Sequence, residues 1–132
     1  MKKRFFNFAI IIPAFLAMTL APTSLKAQDA KPFLGTWDGA LSVAGMELKI
    51  TVKLSLDEEQ NIQGTMDIPE QGAMDLPLGD FTLDGKKISF KIVHDQVQGD
   101  PTFKGELDET GKKISGEFSQ GPAVGTFSVE KK

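Results

Sequence analysis

The chain has no cysteine and one histidine, His94. Without cysteine no disulfide can staple the fold, so stability must come from the core and the sheet ladder. A single imidazole leaves too few ligands for zinc, which takes three or four His, Cys or carboxylate groups. Gly-x-Ser-x-Gly is also missing and no serine nucleophile accompanies His94, so no catalytic residue is assigned and the protein is read as a non-enzyme. The loop acids Asp75, Asp80, Asp95 and Asp100 match no twelve-residue calcium loop and are read as solvated charges. No metal and no cofactor are expected.

Helical periodicity is absent beyond the first 27 residues, and those residues read as a processing segment. Lys2, Lys3 and Arg4 give a positive start. Phe5 to Ala21 is apolar apart from Asn7, Pro13 and Thr19, and Leu25-Lys26-Ala27 offers a small residue at a cleavage position. This predicts a secretory signal over 1–27 and a mature chain beginning at Gln28. The apolar run is short for a bilayer core and broken by Pro13, so no stable membrane anchor is expected after cleavage. No cysteine follows it to carry a lipid. The expected location is periplasmic or secreted, in a Gram-negative bacterium.

Residues 28–132 number 105, enough for one domain. The signal segment holds four of the fifteen basic residues and no acidic one, so the remainder carries 11 basic against 18 acidic groups, a net charge of −7. That balance argues against nucleic acid as a partner and against an anionic membrane surface.

What is present is alternation. From Met46 to Leu56 every even position is apolar and every odd one polar, the pattern of a strand with one buried and one wet face. The same grammar predicts strands over 34–43, 62–68, 81–83, 87–94, 101–108, 113–119 and 123–131, with Ala44-Gly45 and Asp84-Gly85 as tight turns, the latter of type I′. Residues 69–80, with two prolines and two glycines, read as the longest irregular piece. A weak repeat, in which Asp57, Asp84 and Asp108 each open a turn before an isoleucine-led strand, supports the count.

About eight strands in meander order solve their edge problem by rolling into an antiparallel up-and-down barrel. The alternation projects Trp37, Leu41, Val43, the even positions of 46–56, Ile62, Met66, Ile68, Phe81, Leu83, Ile88, Phe90, Ile92, His94, Phe103, Leu107, Ile114, Phe118, Phe127 and Val129 inward, with Gly35, Gly39, Gly64, Gly105, Gly116 and Gly125 on the same face. Eight strands enclose little more than their own side chains, so a filled interior is expected.

Two resemblances follow from particular residues. Gly35-Thr36-Trp37 is similar to the Gly-x-Trp signature of lipocalins, which implies a lipocalin-like barrel with Trp37 plugging one end. Over nearly the whole of 28–132, Gly35-Thr36-Trp37-Asp38-Gly39, Gly64-Thr65-Met66-Asp67, Pro69-Glu70-Gln71-Gly72-Ala73, Gly105-Glu106-Leu107 and Ile114-Ser115-Gly116-Glu117-Phe118-Ser119-Gln120-Gly121 resemble the small β-rich domain found ahead of secreted bacterial serine hydrolases, of α/β-hydrolase or β-lactamase-like type. The sequence ends at Lys132, where such proteins begin their hydrolase domain. The resemblance therefore implies a stand-alone accessory module and carries over no catalytic residue.

The expected function is that of an exported, monomeric binding module recognising a protein, such as a separately encoded hydrolase, or a surface polymer through rim loops. The alternatives are a lipocalin-like carrier of a small apolar ligand and an inhibitor inserting the 69–80 segment into an exported enzyme. Candidate binding residues are Trp37, Gln71, His94 and Gln120.

Overall fold

The computed structural model describes residues 29–132; the expected signal segment, 1–27, lies outside them. Eight antiparallel strands, β1 (Gly35–Val43), β2 (Met46–Leu56), β3 (Ile62–Ile68), β4 (Ala73–Asp84), β5 (Lys87–Ile92), β6 (Thr102–Leu107), β7 (Lys113–Gln120) and β8 (Ala123–Lys131), pair in sequence order. Pairing of β1 with β8, from Trp37↔Lys131 to Val43↔Gly125, closes the barrel and leaves no free sheet edge. Among the described residues no helix is long and apolar enough to cross a membrane.

The segment 69–80 is not irregular. A 3₁₀ turn, Pro69–Gln71, ends at Gly72, whose left-handed φ of 68° releases the chain into β4 at Ala73. The alternation is hidden because β4 carries two bulges, one extra residue against β3 between Leu76 and Ala73 and one against β5 between Gly79 and Thr82. Asp75 and Asp80 sit there with φ of 54° and 52°. Leu76 and Leu78 point inward before the second bulge and Phe81 and Leu83 after it, so the inward phase flips from even to odd. The Asp67 carboxylate, buried behind the first bulge, accepts the Asp75 N–H at 2.7 Å and faces Lys53 Nζ at 3.6 Å. The β4–β5 turn also differs from expectation. Its central residues are Gly85-Lys86, with positive φ at Gly85 alone, the pattern of a II′ turn. At Ala44-Gly45 both residues have positive φ, 52° and 77°, as type I′ requires.

The interior is filled. Phe33, Trp37, Met66 and Phe103 have no exposed surface. The Phe103 ring lies 5.2 Å from Phe90, 4.8 Å from Phe118 and 5.2 Å from Phe127, centroid to centroid, an aromatic cluster spanning β5 to β8. Close strand approach depends on glycine: a Cβ at Gly39 would overlap the Ser128 carbonyl oxygen, one at Gly116 that of Lys104 and one at Gly125 that of Ser42. Most of the expected inward set is buried. Met46, 53% exposed where the β1–β2 hairpin projects past the barrel body, and His94, beyond the end of β5, are the exposed side chains of that set. The expected inward set also left out Ala30, Phe33, Leu76, Leu78 and Pro101, all buried; Leu76 and Leu78 do stand at period two with Met74, inside the segment read as irregular.

The two ends of the barrel differ. At one end, where β1 starts and β8 finishes, the 3₁₀ turn Lys31–Phe33 folds over the opening and buries Phe33. The Trp37 Nε1–H donates to the Phe33 carbonyl at 2.9 Å, and Lys131 Nζ stands 5.4 Å from the Trp37 ring centroid. This is the plugged end. The opposite end, formed by the turns 44–45, 69–72 and 121–122 and the loop 93–101, is the rim end.

Candidate binding surface

Three of the four sequence-derived candidates fall on the rim end. Gln71 is exposed in the 3₁₀ turn before β4. His94 does not continue the inward face of β5, since that strand stops at Ile92; its exposed ring accepts the Gln96 N–H at Nδ1, 3.2 Å away. Gln120, at the end of β7, donates from Nε2 to the Gln98 carbonyl at 2.8 Å, and Gly121 N–H donates to the Gly99 carbonyl at 2.8 Å. These bonds tie the loop 93–101 to the β7–β8 turn. Trp37 is not on this surface: it is fully buried near the plugged end.

Met46, Met74, Val93 and Val124 are the exposed large hydrophobics, at 53, 58, 46 and 73%. All four lie at the rim end, at the start of β2, β4 and β8 and just beyond β5. Alternation carried a usable signal for two of them: Val93 is out of phase with Ile88, Phe90 and Ile92, and Val124 with Phe127 and Val129. Met46 and Val124 border one shallow cleft together with Ser42, Val43 and Glu47.

The rim is also anionic. Glu47, Glu70, Asp75, Asp95 and Asp100 are exposed there, while the rim segments 44–47, 69–75, 93–101 and 120–124 contain no lysine or arginine. Lys91, on the neighbouring wall, hydrogen-bonds Asp100 at 2.9 Å, and this bond holds its ammonium above the ordinary lysine value. Glu70 Oε1 accepts the Lys49 backbone N–H at 2.9 Å, fixing the 3₁₀ turn against β2. Among the described residues no group of three or more His, Cys, Asp or Glu is gathered to hold a metal ion.

The plugged end, by contrast, displays Asp57, Glu58, Glu59, Asp108 and Glu109 interspersed with Lys31, Lys86, Lys112, Lys131 and Lys132. In comparison with known proteins, the chain matches no family model, no curated protein and no solved structure.

Proposed function

We propose that the protein is an exported, non-enzymatic binding module whose rim end docks a protein partner. The observation that carries this reading is the gathering of Met46, Met74, Val93 and Val124 at one end of the barrel. Exposed apolar residues scattered singly are ordinary, whereas several at one end of a barrel, among carboxylates, suit a protein interface. The border's carboxylates select a partner with a basic face, and they repel anionic lipid. The likeness of the Pro69-to-Gly72 and Gly116-to-Gly121 elements to domains that precede secreted hydrolases makes an exported hydrolase the first partner to test.

The carrier reading has less support, because Phe33, Trp37, Met66 and Phe103 are wholly buried and take up interior volume. The inhibitor reading loses its inserting loop, since 69–80 is a single 3₁₀ turn followed by strand. A photo-crosslinking residue at Val124, compared in intact cells with one at Lys112 on the plugged end, tests the proposal. The expected result is a defined adduct with an exported protein from position 124 alone, weakened by salt. No adduct, or equal adducts from both ends, would overturn it.

A further inference from the structure

We propose that the plugged end holds a second, independent site: a cleft for a small amphipathic amine, an apolar body bearing an ammonium group. The cleft encloses about 410 Å³, within the size range of small-molecule pockets, and opens between Asp29-Ala30, the β2–β3 turn, the start of β3 and the bulged part of β4. Its origin is the second β4 bulge together with the one-sided fit of the plug. Around the plugged end Trp37, Leu54, Leu107, Ile114 and Val129 are buried, whereas Ile62, Phe81 and Leu83, which also face inward, stay half-buried. With Leu78 they form an apolar wall that the described residues leave uncovered on one side.

The polar lining fixes the ligand's charge. Among the described residues of the lining, Asp29 and Asp80 are the ionisable groups, both carboxylates, and the other polar side chains are the amides of Gln60, Asn61 and Gln63. Neither carboxylate forms a salt bridge among the described residues. Lys91 is near enough to Asp80 to feel its charge, but its ammonium is engaged by Asp100 at 2.9 Å. Two carboxylates in one cleft beside a hydrocarbon wall reject organic anions and favour an ammonium whose body lies on Ile62, Leu78, Phe81 and Leu83. Asp80 and Gln60 are also held at φ of 52° and 68°, a conformation that costs L-residues energy and recurs where a side chain must be aimed.

The test titrates the exported protein with 2-phenylethylamine and, separately, phenylacetate, reading amide chemical shifts by NMR. Saturable shifts confined to residues 60–63 and 78–83 are expected for the amine, with phenylacetate binding at least roughly fivefold more weakly. Asp80→Asn is the discriminating variant, because asparagine tolerates the left-handed backbone and keeps the bulge while removing the charge. It should weaken the amine by roughly fivefold and narrow the preference over phenylacetate. Asp29→Asn, ahead of β1 and outside the sheet, should do the same if the bulge variant fails to fold. Absence of saturable shifts at the cleft, equal binding of both probes, or amine binding indifferent to both substitutions would overturn the proposal. None of these outcomes bears on the rim end.

Discussion

The two ends of this barrel are built from the same strands and the same kinds of turn, yet one carries a buried plug and the other displays its most exposed large apolar side chains. At the plugged end the chain supplies its own stopper, with Phe33 and Trp37 wholly buried and joined by a hydrogen bond, and the surrounding turns carry charges of both signs. At the rim end the turns point Met46, Met74, Val93 and Val124 away from the core and bear carboxylates alone. The difference teaches that closing a small barrel needs only a few side chains on its axis. Apolar groups that do not serve closure, and that gather in one place, call for another explanation.

The sharpest way to break the contrast is to pull the stopper. Trp37→Ala removes a fully buried indole and leaves the Phe33 carbonyl without its donor, and should cost about 3–5 kcal/mol of unfolding free energy. Val124→Ser, at a residue 73% exposed, should stay within about 0.5 kcal/mol of wild type. Urea denaturation of both variants measures the difference. Equal midpoints would mean that the plug does not hold the fold together.

A smaller effect of opposite sign is expected at the rim. Ala44 is held at φ 52°, so Ala44→Gly should stabilise the protein by about 1 kcal/mol, the left-handed penalty less part of glycine's entropy cost. A higher denaturation midpoint checks this; a lower one would show that the turn is not strained.

The smallest effect belongs to the plugged end and to acid. The Thr110 hydroxyl, then backbone N–H groups led by that of Lys112, hold the Asp108 carboxyl below the usual carboxylate range. A depressed folded pKa contributes stability that is present above the ordinary Asp value and lost as pH falls through the folded one. Asp108→Asn should therefore lower stability slightly at neutral pH and shrink the loss below about pH 4. Denaturation midpoints at pH 7 and pH 3 compare the two forms, and an unchanged acid limb would remove Asp108 from the account.

The strands that alternate cleanly were legible residue by residue. β2, β3 and β8 begin and end where the pattern does, because each keeps one phase from turn to turn. β4 was not, since bulges at Asp75 and Asp80 shift its phase and two prolines suggested a loop. The plug was invisible for a different reason: Phe33 is one buried residue in a three-residue turn, too short to show any period. Turn chemistry was sufficient to bring Gln71, His94 and Gln120 to one end, whereas the apolar rim around them required knowing where each hairpin leaves the barrel wall.

Pairing of β1 with β8 also dictates the order of events in folding. Seven of the eight strand contacts join neighbours in sequence and can zip as hairpins on the microsecond scale. The eighth joins Trp37 to Lys131, across nearly the whole described chain, and must wait for the others because its loop-closure entropy is the largest. Until it forms, β1 and β8 are bare edges and the seat of the plug is incomplete. A molecule made by linking Lys132 to Asp29 and opening the Ala44-Gly45 turn would convert that last, long-range contact into a local one. The β1–β2 ladder would then become the long-range closure, so the same barrel should form at a similar rate with its seam moved by one strand.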